Sequence, residues 1–244
     1  NTVDGFNEAL RRLRISDAVN TSTGSGSIYY RSGAYTMAGA TIPFGVGVYA
    51  MPGSSTVWNM NGTSQTIVTI VGIADGIKFD TRNLAFSTHC VVMRSNSKLT
   101  NFEIYGNSSA DTVQLFSTIS IKNSTNVIVS NGRIGVETRK AVFANPRGSN
   151  TPIGIESSTN VVIDTVRFDG WGSQNTGADF GLIGISRSRD VNIKNSHFLG
   201  QGDGVTLAIG GGNHGVFVKN NRIDITATVA GTRGLISVNG RDEG

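Results

Sequence analysis

The sequence predicts an all-β solenoid, a parallel β-helix built from short stacked coils, on three observations. Segments recur: "LTNFEI" from Leu99, "VSNGRI" from Val129, "IDTVRF" from Ile163, "IKNSHF" from Ile193 and "VKNNRI" from Val218, with anchors 30, 34, 30 and 25 residues apart. A second column, Ile119/Ile121, Ile153/Ile155, Ile183/Ile185, Leu207/Ile209 and Ile236/Val238, repeats in the same register as apolar, any, apolar. The content of each unit is short β-branched alternation broken by Gly, Asn and Ser, with no 3.6-residue periodicity after residue 15. A period of this length signals a repeat architecture, and strands this short are buried only when one coil stacks on the next about 4.8 Å away.

Within each unit, the residue five positions after the anchor is again apolar: Ile104, Ile134, Phe168, Phe198 and Ile223. The residue two positions after it is Asn101, Asn131, Thr165, Asn195 or Asn220. Asn tolerates the torsions of a bend, and its amide can bond the identical amide of the next coil, so this column predicts a turn with an Asn ladder.

Composition agrees with a solenoid. In 244 residues there are 32 Gly and 4 Pro without a triplet period, and only 16% charged residues. No apolar run is long enough to span a membrane. The single Cys90 can form no internal disulfide and reads as a small buried residue. His89, His197 and His214 do not combine with Cys or carboxylates at a metal-ligand spacing, and no glycine motif for phosphate and no basic-aromatic pattern for nucleic acid is present. No metal, cofactor, nucleic-acid partner or membrane insertion is expected.

The first residues differ. "VDGFNEALRRLR" offers Asp4 as an N-cap and Phe6, Ala9, Leu10 and Leu13 on one helical face, a short helix able to cover the open end of the first coil. "GSGSIYYRSGAYTM" (24–37) and "TIPFGVGVYAMPGSSTVW" (41–58) follow. Residues 1–60 are read as the capping helix and leading strands, and 61–244 as the coils of one continuous solenoid. Because Ile236 and Val238 open a further coil, the chain is read as a piece of a longer polypeptide.

This order, with Gly26, Ile28, Gly33 and Tyr35, resembles the start of the pectate-lyase superfamily, and most of all a bacteriophage tailspike. The resemblance implies a right-handed single-stranded parallel β-helix and a location in the virion, in a phage tail, or outside the cell. It also implies a homotrimer of solenoids packed side by side, with an apolar patch on the flank away from the basic stripe described below. It is not specific for chemistry, since the same fold carries lyases, hydrolases, epimerases and non-catalytic binders. Three functions stay open: a tailspike-like protein that binds host surface polysaccharide, with or without depolymerising it; a secreted polysaccharide lyase or glycoside hydrolase; and a structural virion solenoid.

The residue before each second anchor points outward, giving the column Glu103, Arg133, Arg167, His197 and Arg222. With a net charge of +4, this reads as a mostly basic stripe suited to an anionic polysaccharide, against the plainer reading of a solvated face. The insertions 105–116, 135–152 and 169–181 leave the coil at corresponding points and are expected to line a groove. There Tyr105 and Trp171 would stack on sugar rings, and Arg147, Gln174 and Asn175 would bond hydroxyls. The weak catalytic candidates are Asp169, Asp179 and Asp203. The stretch "GQGDGVTLAIGGGNHG" (200–215) resembles the polygalacturonase signature but has Gly204 where that signature has its second aspartate, and its His214 sits in the same coil.

Overall fold

In the computed structural model the described residues are 5, 6, 9, 25–37, 39–62, 66–84, 89–105, 117–135, 151–171, 182–201, 207–226 and 236–238. Among the described residues twenty-two strands form two sheets, and every pairing between these strands is parallel. The chain is a β-solenoid of three faces. The first face runs from Gly26–Tyr30 through Val46–Ala50, Ile73–Asp75 and Lys98–Thr100 to Arg189–Lys194 and His214–Lys219. The second includes Gly33–Met37, Thr56–Gly62, Ile77–Leu84, Glu103–Tyr105, His197–Gln201 and Arg222–Thr226. Both belong to one 14-stranded sheet, because Thr125–Ile134 and Thr159–Trp171 run through the corner between them. The third face is a separate 8-stranded sheet from Ala40–Ile42 to Ile236–Val238.

The anchors read from the sequence face inward. Leu99, Val129, Ile163 and Ile193 are fully buried, as are the third-face residues Ile119, Ile121, Ile153 and Ile183. Phe168 and Phe198 stack in adjacent coils with ring centroids 4.8 Å apart. Toward the C-terminal end Val216, Val218 and Ile223 are partly buried, and Ile236 and Val238 are exposed. At the other end Gly5, Phe6 and Ala9 are helical, and Phe6 is buried edge-on against Trp58, which packs on Tyr30 and Phe79. The rest of the expected capping helix, including Leu10 and Leu13, lies outside the described residues. Cys90 is buried, and that burial pushes its thiol well above the ordinary range.

The bends have a common backbone. Asn101, Asn131, Thr165, Asn195 and Asn220 all adopt positive φ, between 51° and 55°, as the Asn column required. A β-branched residue is strained there. Thr165 is held by a bond from its hydroxyl to Asp164. Thr165→Asn is therefore expected to raise stability by about 0.5–1 kcal/mol, and a denaturation midpoint equal to or below that of the parent would show the strain is already relieved.

The expected ladder forms elsewhere. In the column read from the sequence, Asn101 and Asn195 donate to Asp75 and Asp164 of the preceding coil, at 2.7 and 2.9 Å. The amide-to-amide chain runs instead through Asn160, Asn126 and Asn96, which bond in succession at 2.8 and 2.9 Å on the other side of the first face. These too have positive φ, as have Asp190 and Gly215, which continue the column. Beside them runs a buried corner the sequence reading missed. Ser158, Ser188 and Asn213 accept the backbone N–H of Ser124, Ser158 and Ser188 respectively, while Ser124, Ser158 and Ser188 donate to the carbonyl two residues back. Its signal is visible in "NSTN", "SSTN", "RSRD" and "GNHG" at 123, 157, 187 and 212.

Candidate functional site

The outward column on the second face is in register, as the alternation of strand side chains required. Lys78 pairs with Glu103, Glu103 with Arg133, Arg133 with Arg167, Arg167 with His197, and His197 with Arg222. Beneath it the inward partners Phe79, Ile104, Ile134, Phe168 and Phe198 are buried, which fixes the strand and thereby the spacing of the outward residues. Arg167 and Arg222 are exposed, while Arg133 and His197 are half-buried.

The stripe is not uniformly basic. Near its N-terminal end Lys78 meets Glu103 at 3.4 Å. At the other end Asp224 accepts from both His197 Nε2, at 2.8 Å, and Arg222 Nε, at 2.6 Å. The bond from His197 and then the Arg222 guanidinium hold the Asp224 carboxyl below its ordinary range. Asp224 did not enter the sequence reading, because it lies two residues beyond the column and its role depends on which way two side chains turn. At this end Asp224 thus lies between His197 and Arg222.

The other sequence candidates divide by position. Tyr105 pairs through its backbone with Asp80, and Trp171 pairs with Gly200 after a bulge that follows Phe168. Both therefore end second-face strands on the same flank as the stripe; their side chains lie outside the description. Asp169 belongs to the same strand as Trp171, and its side chain is likewise not described. Arg147, Gln174, Asn175, Asp179 and Asp203 lie outside the described residues. His214 is exposed at the start of a first-face strand, in register with Arg189, and so stands away from the stripe. Among the described residues no group of three His, Cys, Asp or Glu side chains could hold a metal ion, and no helix is long and apolar enough to cross a membrane.

Two other carboxylates are tied across coils. Glu156 is held below its ordinary range chiefly by the bond from Lys122, at 2.8 Å, and also by Arg187, against the opposing effect of burial. For Asp164, burial pushes upward but is outweighed by bonds from Asn195, Thr165 and Lys194. A depressed carboxyl contributes stability that is fully present above its unfolded value, about 4, and is lost as pH falls through the folded value. The melting temperature is thus expected to stay level from neutral pH to about 4 and to fall below it. The Glu156→Gln variant should show a shallower fall; identical acid limbs in thermal melts of the two proteins would contradict this role.

No family model and no curated protein matches the chain. Among solved structures, one described as ORF18 of Geobacillus virus E2 is similar with a TM-score of 0.39 and 10% sequence identity, over 93% of this chain and 61% of that one. The chain therefore spans 61% of the length of that protein.

Proposed function

We propose that this β-solenoid binds an acidic polysaccharide along its second face, in the manner of a tailspike-like protein acting at a host surface. The observation that carries the reading is the register of Arg133, Arg167, His197 and Arg222, four nitrogen-bearing side chains set one coil apart on a rigid sheet. A polymer with repeating carboxylates can meet such a row at several points, and guanidinium groups bind carboxylates with two parallel bonds. The scaffold is ordered before the ligand arrives, so little conformational entropy is lost in aligning the row. Tyr105 and Trp171, which end second-face strands, are the candidates for stacking on a sugar ring.

A glycan array probed with the protein, followed by titration of the best acidic oligosaccharide, tests the reading. Arg167→Ala is expected to weaken binding by about 1–3 kcal/mol, as the loss of a charge-assisted hydrogen bond does. The difference between parent and variant should shrink at high salt, because exposed charges are screened. Unchanged affinity in both Arg167→Ala and Trp171→Ala would move the site off this face. Cleavage is read separately: if Asp169, Asp179 or Asp203 is catalytic, its Asn variant binds the polymer yet releases no reducing ends.

A further inference from the structure

The first face carries a different pattern from the stripe. One of its outward columns runs Ile73, Lys98, Ile128, Val162, Asn192, Phe217, and the next runs Asp75, Thr100, Ser130, Asp164, Lys194, Lys219. Ile73, Ile128 and Phe217 are exposed at 36%, 39% and 54%, against a core whose equivalents are buried completely. Between residues 73 and 219 the long insertions in the chain all follow second-face strands. The first face is bounded on both sides by turns of a few residues.

Both columns continue into the two preceding coils, as Gly47 and Ser27 and as Tyr49 and Tyr29; over the six coils from residue 73 to 219 the first column reads apolar, polar, apolar, apolar, polar, apolar, the same in either direction. The second column is acidic toward the N-terminal end at Asp75 and basic at the C-terminal end at Lys194 and Lys219. We infer that this face binds a second copy of the chain with the solenoid axes antiparallel, about a two-fold axis that runs along the strands between Ile128 and Val162. Such an axis reverses the order of coils but keeps each column opposite itself, as an isologous contact requires. It sets Ile73 against Phe217, Ile128 against Val162, Lys98 against Asn192, and Asp75 against Lys219. In the same frame the Thr100 hydroxyl meets Lys194 and the Ser130 hydroxyl meets Asp164.

The alternatives fit less well. Moving the axis by half a coil puts Ile73 against Asn192 and Ile128 against itself, losing one apolar pair. A two-fold along the solenoid axis brings the charged column against the apolar one. With that axis run along the charged column itself, coils stay level and Lys194 would oppose Lys194 and Asp75 oppose Asp75, and like charges directly opposite are destabilising. The side-by-side trimer that the family resemblance implies is a cyclic, heterologous assembly, so it would set this face against a different one or not use it.

Size sets the strength. Six coils about 4.8 Å apart, each offering a strand of about 10 Å, give a contact of roughly 300 Å² per copy in projection, well under the ~800 Å² of a standard interface. The pair is thus a weak one that forms with rising concentration. It is independent of sugar binding, which uses the second face.

Sedimentation over about 1 µM to 1 mM measures the association. The parent is expected to pass from monomer to dimer. Phe217→Asp, at an exposed site, should abolish the dimer without changing the melting temperature. Lys219→Glu should weaken it about tenfold, since symmetry repeats the lost pair. Combining Lys219→Glu with Asp75→Lys should restore it, because the exchanged charges again face their opposites. Circular dichroism establishes that each variant is folded, which matters for Asp75 because it accepts from Asn101. A parent that stays monomeric at about 1 mM, a trimer, or a double variant no tighter than Lys219→Glu alone would each overturn the inference.

Discussion

Truncating Phe198 to alanine is expected to lower stability by roughly 3–5 kcal/mol, a large share of the 5–15 kcal/mol that holds a typical domain. The ring is fully buried and lies almost parallel to that of Phe168, 13° between planes. A solenoid passes strain only to neighbouring coils, so the cavity left behind cannot be filled from elsewhere in the core. The residue before it, His197, is positioned by the same strand. Loosening that strand should also raise amide exchange at His197–Gln201 and Arg222–Thr226 before the rest of the sheet. Chemical denaturation with hydrogen exchange measures both effects. A loss under about 1 kcal/mol would mean that Phe168 and its neighbours collapse into the space.

Gly132→Ala is the second large effect, and it arises where the strand Thr125–Ile134 passes through the corner between two faces. A methyl group on Gly132 would overlap the ring of Phe102, which is 1% exposed and belongs to the corner of the preceding coil. The ring fills the volume that the missing side chain leaves. Overpacking of this kind destabilises by about 1–3 kcal/mol, because the corner must open to relieve it. The diagnostic is non-additivity: with Phe102 already shortened to alanine, Gly132→Ala should cost little, giving a coupling of about 1–3 kcal/mol in a double-mutant cycle. Additive costs would show that the added methyl is resisted by the backbone instead.

Residues 129–134 and 163–168 show why part of this molecule could be read without coordinates. Val129, Ile134, Ile163 and Phe168 must be buried, strands alternate, and coils repeat, so the three constraints together leave one register. That register delivers the outward row of Arg133, Arg167 and His197 and the positive φ at Asn131, Thr165 and Asn195 without further information. It did not deliver the partner of any polar side chain. Asn195 turns to Asp164, not to the next asparagine, because a carboxylate one coil back is the stronger acceptor for its amide. The asparagines that do form a ladder, at 96, 126 and 160, were legible only as turn residues.

The sequence by itself thus determined the solenoid, its inward columns and the order of side chains along each outward row, since burial of apolar residues at a fixed period allows no other stacking. Only the tertiary structure decided how those rows are used. It placed Asp224 between His197 and Arg222, which lie one coil apart, a pairing that rests on side-chain rotamers and not on period. It also set six first-face residues into a row whose reversed order matches itself, because residues 25 to 34 positions apart in the chain become neighbours only when hydrogen bonds join successive coils.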